Sequence, residues 1–459
     1  MSATARTQDD DAAVTGSGLR RRLTLRHIVF IGLAYMAPLA VFDTFGIAAD
    51  ASGNRVPASY LLVVVAVVIT ALSYARMVRH YPSAGSAYTY AKEAIHPHVG
   101  FMVGWATTLA YLFLPMLNAL LSAVYMGAAF PSVPSWVWIG ATIVICTALN
   151  LAGVQLAARV NVLLVAVQVV VAGAFVVLVV KAVLDGPGAQ AFTLAPFGAG
   201  QDVEVAGLAA GAAILALSFL GFDAVSTLAE EAERPRRDLP RAIFIIVAVA
   251  SVFFVGVTYT MQSLFPDVSQ LADVVGASPE IALYIGGPAF QAFFLAGYLV
   301  AVLGCGVTQQ MSAARLLYSM GRDGVLPRGF FGRVSERTGV PVANTLLVAL
   351  LACTAVFIDL AQAASVINFG AFVAFVAVNT SVVLVAVRFV RGRGVGHVLG
   401  CYVLPVLGVA VNVLLFVSLD ATALTLGAAW MVVGLVLLLW RTRLFRVPPP
   451  PLTEPAIDG

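Results

Sequence analysis

The chain has 459 residues, of which 61% are hydrophobic and 11% charged, with a formal net charge of +3. A soluble domain is nearer half apolar and a quarter charged, and here the apolar excess runs through the whole length, which excludes a soluble domain carrying a single anchor. The composition points to a lipid bilayer as the partner and gives no basic surface of the kind a nucleic acid needs.

Spanning helices need roughly 20 apolar residues each. Runs of that kind predict helices at 25–49, 58–79, 98–129, 135–153, 157–183, 206–229, 240–264, 288–319, 341–358, 362–390, 397–418 and 421–440. Strands are not expected, because an open sheet edge in lipid leaves backbone groups unpaired. The polar residues before the first run end in Arg20-Arg21-Arg22 and lead into no short apolar core with a cleavage site, so no signal peptide is expected. Between the seventh and eighth runs, Pro279 and Glu280-Ile281-Ala282-Leu283-Tyr284 predict a short outer helix. The N-terminal tail and the segment from Pro448 onward are expected to be disordered.

Charge fixes an expected orientation. With a cytoplasmic N-terminus, the inner segments carry Arg20–Arg26, Arg76, Arg79, Lys92, Arg159, Arg234–Arg241, Arg315–Arg337, Arg388–Arg393 and Arg441–Arg446. The outer segments carry only Arg55 and Lys181. That asymmetry satisfies the positive-inside rule and predicts an even number of spans with both termini cytoplasmic.

Two runs cannot be continuous helices. The first contains Tyr35-Met36-Ala37-Pro38 and then Phe42-Asp43; mid-span Pro38 removes a backbone donor and clashes with the preceding turn. The sixth contains Phe219-Leu220-Gly221-Phe222-Asp223, a glycine and an acid at mid-depth. Each opens one of two five-helix halves, and each places a Phe-Asp pair just past its expected break. Interrupted helices at corresponding positions of inverted repeats mark a midplane binding site. The expected organisation is a cytoplasmic tail (1–23), a first repeat (24–185), a second repeat (204–392), two further helices (396–440) and a cytoplasmic tail (441–459).

Asp43 and Asp223 are the only acids well inside predicted spans. An ionised group there costs roughly 2.5–3.5 kcal/mol on insertion scales, so function is the default explanation; capping an unwound backbone is the bland one. No Lys or Arg lies at mid-membrane, so the site attracts a cation. Pro38 and the absence of glycine from 37–40 leave no backbone cradle for a carboxylate, which makes an ammonium the group to be recognised. Tyr35, Phe42, Tyr111, Phe219, Phe222 and Tyr298 are candidate cation–π partners, although helix packing explains such aromatics equally well. The candidate binding set is Tyr35, Met36, Ala37, Pro38, Phe42, Asp43, Tyr111, Phe219, Gly221, Phe222 and Asp223, with Asp223, Glu230 and Glu231 as coupling or gating groups. Neither a cofactor nor a metal is expected. Cys146, Cys305, Cys353 and Cys401 fall in apolar runs and are expected to be buried free thiols. The five histidines sit at span edges or in loops, with His96-Pro97-His98 at a helix start, so no buried nucleophile–base pair suggests an enzyme.

Several stretches resemble the amino acid–polyamine–organocation superfamily and, within it, the bacterial putrescine importers. They include Val41-Phe42-Asp43-Thr44-Phe45-Gly46, Pro82-Ser83-Ala84-Gly85-Ser86-Ala87-Tyr88, Gly221-Phe222-Asp223-Ala224, Arg315-Leu316-Leu317-Tyr318-Ser319-Met320-Gly321-Arg322-Asp323 and Ile367-Asn368-Phe369-Gly370. The resemblance implies an all-α LeuT-type 5+5 inverted repeat with two added helices, located in a bacterial inner membrane. It further implies uptake of an amine by alternating access, with a proton favoured over sodium as the coupling ion. Two departures stand out. Ala110, before Tyr111-Leu112-Phe113, occupies a position where those importers carry an Asp. Gln168 occupies a position where some proton-coupled relatives carry a Lys. An amino-acid or aminobutyrate permease of the same fold stays open as the alternative.

Overall fold

The computed structural model describes residues 23–82, 86–153, 158–185, 193–198, 204–335, 339–389 and 394–449; both tails lie largely outside them. Apolar helices close all their own backbone hydrogen bonds, which is what lipid demands. Among the described residues, twelve apolar helical elements follow. Here α1 comprises Leu25–Tyr35, Ala40–Asp43 and Phe45–Ala51; α2 is Val56–His80, α3 Pro97–Ala129, α4 Ser135–Leu151 and α5 Ala158–Asp185. The broken α6 comprises Val205–Leu215, Ala216–Phe219 and Ala224–Glu230, and α7 is Pro235–Leu264. A single helical run, Ala277–Arg322, turns sharply at Gly287 (φ 68°, ψ −172°). It therefore divides into a short helix, 277–286, at the place the sequence predicts one and called the outer helix below, and the span α8, 288–322. Then α9 is Val342–Ala352 continued by Cys353–Val356, α10 Leu360–Phe389, α11 Val395–Val417 and α12 Ala421–Arg441. Ten of these spans are long and apolar enough to cross a membrane, and α4 and α9 are shorter apolar helices.

No strand forms among the described residues; a lone parallel bridge joins Leu23 and Ala232. Ser86–Ala94 is a further short helix, between α2 and α3. The side chain of His96 accepts from the His98 amide (3.3 Å) and so caps the start of α3.

The core is built around α3, which packs along α8 and α10, while α2 packs along α7. Small residues allow the close approach that membrane helices rely on. A Cβ at Gly370 of α10 would strike the backbone of Ala106, and one at Gly408 of α11 would strike Asn379. Polar side chains join helices internally: Ser73 donates to Asn379 (2.7 Å), whose amide donates to Thr70 (3.1 Å), and Asn412 also donates to Thr70 (3.0 Å). The last span is clipped on by two tryptophans. Trp105 donates to the carbonyl of Trp430 and Trp430 to that of Trp105, each at 2.8 Å, with the rings stacked at 4.6 Å and 13°. Large apolar side chains such as Val252 and Phe357 face outward, as a lipid-facing belt requires. All four cysteines are free. Of the four thiols expected to be buried, Cys146 is; Cys305 and Cys401 are only half-buried, and Cys353 is exposed.

Candidate functional site

The α1 helix ends at Tyr35, and Met36, Ala37, Pro38 and Leu39 form the break. Pro38 cannot supply the amide that a continuing helix needs. The chain turns through Ala37, whose φ of 46° lies in the left-handed region. In α6, the helix tightens at Ala216–Phe219, Leu220 is extended, and Gly221 takes a φ of 111° before helical turns resume at Ala224. The two breaks touch. A Cβ on Gly221 would lie 3.1 Å from Tyr35 Cβ and 3.3 Å from the Tyr35 carbonyl. Tyr35 keeps 40% exposure there, and Ala37, Pro38, Gly221, Asp223 and Ala224 are also partly exposed. Partly exposed residues where two unwound backbones meet are the features expected of a binding site between interrupted helices.

The Phe-Asp pairs are not structural counterparts. Phe222-Asp223 lies inside its break, and Asp223 accepts from the Gly221 amide at 3.3 Å. Phe42-Asp43 lies beyond its break, in the short turn Ala40–Asp43. Asp43 is eight residues past Tyr35, on the far side of the break from α1's first segment. Its carboxylate accepts a hydrogen bond from the Tyr298 hydroxyl of α8. The Tyr298 ring stacks on Tyr125 of α3 at 3.5 Å and 1°. Ser278, from the outer helix, donates to the Phe42 carbonyl at 2.8 Å. Among the described residues, neither carboxylate has a Lys or Arg within ion-pair distance.

The aromatic candidates separate. Phe42 is buried against Phe175 (4.5 Å) and Phe294 (5.5 Å). Phe219 packs against Tyr60 and Phe254, and Phe222 against Tyr74 and Phe375. These rings anchor the broken segments to their neighbours. Tyr111 is not brought to the breaks; it packs in a separate cluster with Tyr88, Trp105, Leu316 and Leu438. Ala110, on an adjoining face, packs against the main core, and Gln168 is buried with Oε1 unpartnered. The Glu231 carbonyl accepts from the Leu23 amide (3.0 Å) and Leu23 accepts from Glu233 (3.1 Å), which joins the inner ends of α1 and α6. The Glu230 side chain lies outside the described residues. Polar side chains of α8 and α10 join helices: Gln309 meets Asn118, Gln310 meets Asn150 and Thr147, and Asn368 donates to the Ala213 carbonyl (2.7 Å). Tyr125 is absent from the sequence-derived set. Asn118, Ser122 and Tyr125 recur at helical spacing on one face of α3, which is the signal that finds it.

Residues 27–393 match the family described as amino acid permease. The chain belongs to that family. The permease is a multi-pass membrane transporter of the amino acid–polyamine–organocation superfamily, and its two interrupted helices fit the LeuT-type fold. It is 43% identical over 436 residues to the low-affinity putrescine importer PlaP of Escherichia coli (strain K12), covering 94% of this chain and 96% of that one. It is 28% identical over 401 residues to cationic amino acid transporter 4, vacuolar, of Arabidopsis thaliana, covering 82% and 65% of the two chains. An uncharacterized transporter of Mycobacterium tuberculosis is 29% identical over 427 residues, covering 91% and 90%.

Proposed function

We propose that this permease imports a cationic amine of the putrescine class by alternating access, driven by protons, across a bacterial inner membrane, and that it is not an enzyme. The supporting observation is the 43% identity to a putrescine importer along nearly the full length of both chains. The chemistry of the breaks agrees with it. Asp223 sits where the two unwound segments meet, next to partly exposed Tyr35, with no basic side chain among the described residues to neutralise it. An ammonium would supply the missing charge and accept cation–π support from Tyr35.

The proposal includes both termini in the cytoplasm, on the charge asymmetry of the loops, and two inverted repeats over 24–185 and 204–392. Ala110 favours a second reading. Without an acid at that position a diamine has one partner fewer, so an amino-acid or aminobutyrate permease is the alternative. Uptake of labelled putrescine into proteoliposomes, competed by excess putrescine, agmatine, ethanolamine or neutral amino acids, separates the two. Competition by amines supports the proposal, and competition by neutral amino acids alone refutes it.

A further inference from the structure

We propose that Asp43 is the proton-binding group of the transport cycle, held on the outer side of the α1 break by Tyr298 and by the Tyr125 ring stacked on it. The proposal rests on the proton-driven import reading given above and takes its solute from the amine reading; wild-type uptake that ignores the proton gradient would refute the proton-driven reading. The two acids then have separate roles. Asp223 faces the substrate where the breaks meet, and Asp43 carries the proton further out.

Three features distinguish Asp43. First, its hydrogen-bond partner is a phenol from another helix, whereas Asp223 accepts from a backbone amide two residues away. A backbone amide can donate to either form of the carboxyl group but cannot accept the O–H of the neutral acid, so it favours the ionised form. A phenol both donates and accepts, so it serves both protonation states. Second, the surroundings contain no fixed positive charge among the described residues. The titratable side chains around Asp43 are Tyr60 of α2, Tyr125 of α3, and Tyr298 and Cys305 of α8. Alongside, α5 and α8 contribute the phenyl rings of Phe175 and Phe294, packed on Phe42. A carboxylate there gains a proton without losing an ion pair. Third, the group sits at a junction between elements. Asp43 bonds α8, its neighbour Phe42 accepts from Ser278 of the outer helix, and a Cβ on Gly46 would strike the backbone of Val274.

The proton balance is simple. The ionised carboxylate accepts from the Tyr298 O–H. A proton arriving from the outer side binds a carboxylate oxygen, giving a neutral acid whose own O–H donates to the phenol oxygen, and the phenol proton turns to another acceptor. No covalent bond other than O–H forms or breaks. Loss of the proton to the inner side restores the first arrangement. The link between α1 and α8 thus reverses direction with each proton, and this joins protonation to the movement of the outer half of α1.

The experiment has a ligand-free arm and a transport arm. In infrared difference spectra of the purified full-length protein, recorded during pH titration, subtracting Asp43→Asn from the wild type should leave one protonated-carboxyl band, and that band should persist in Asp223→Asn. A wild-type spectrum that loses no carboxyl band in Asp43→Asn overturns the proposal, whatever the substrate proves to be. In proteoliposomes, an inward proton gradient should drive putrescine accumulation by the wild type. In Asp43→Asn the gradient should drive none, and any remaining flux should be independent of pH. Accumulation at the wild-type level in Asp43→Asn also overturns the proposal. Should the substitution impair folding, Tyr298→Phe gives the second reading: coupling should persist, with the pH midpoint of uptake moved to higher pH by about one unit, because the ionised carboxylate loses its donor. An unmoved midpoint counts against it. A wild type that carries no putrescine refutes the amine reading alone, since the infrared arm needs no solute.

Discussion

At the α6 break the chain turns on Gly221 at φ 111°, whereas at the α1 break it turns on Ala37 at φ 46°, followed by Pro38. Glycine reaches that conformation without steric penalty. An alanine there stores about 1–3 kcal/mol that the surrounding packing must hold. The acids differ in the same sense. Asp223 is fixed by its own backbone, while Asp43 is fixed by a tyrosine from α8 and lies next to a carbonyl that receives Ser278. One break turns on a glycine, with its acid held by its own backbone and its rings packed on neighbouring helices. The other is strained and held by distant parts of the chain. The superfamily's two interrupted helices are therefore not equivalent halves here, and similar Phe-Asp dipeptides conceal different depths and partners.

The largest effect that would sharpen this contrast is expected from Asp223→Asn. Loss of the charge facing an ammonium should weaken putrescine binding roughly 100-fold, as read by calorimetry or by loss of ligand-induced thermal stabilisation; retained affinity would place the substrate elsewhere. Gly221→Ala comes next. The new Cβ meets Tyr35 at 3.1 Å, on a backbone that alanine disfavours. Uptake should fall about tenfold if the strain is of the usual 1–3 kcal/mol, and wild-type uptake would mean that the break relaxes freely. Ser278→Ala should cost about 1 kcal/mol, the net value of one hydrogen bond, seen as a lower melting temperature of the purified protein; no change would detach the outer helix from α1. The smallest effect is expected from Ala37→Gly. Relief of strain is offset by about 0.5–1 kcal/mol of added chain entropy, so the melting temperature should rise slightly or hold. A clear drop would show that Ala37 is not strained, and the contrast between the breaks would fail.

Much of the fold was legible because lipid restricts the possibilities so severely. The twelve apolar runs correspond to twelve helices, the short α4 and α9 included, and the outer helix before α8 follows from its proline and short amphipathic run. Ser86–Ala94 escaped because nine mixed residues carry neither a span nor a long period. The site was legible along the chain but not across it. Pro38 and Gly221 announce the breaks through backbone chemistry, which is local. That Phe222 would pack on Tyr74, that Tyr111 would turn to α12, or that Asp43 would meet Tyr298 depends on how helices distant in sequence are rotated against each other. A single sequence carries no local record of that rotation.

The reciprocal clasp between Trp105 and Trp430 has an optical consequence. Two indoles held face to face at 4.6 Å and 13° share their excited states, so these two of the five tryptophans absorb as a coupled pair. Their coupling should add a signed couplet to the circular dichroism in the region of the strong indole band, and it should vanish entirely, not by half, when either ring is replaced by phenylalanine. The attachment of the final helix to the bundle is thereby a native chromophore, and its persistence through a transport cycle can be followed without attaching a label.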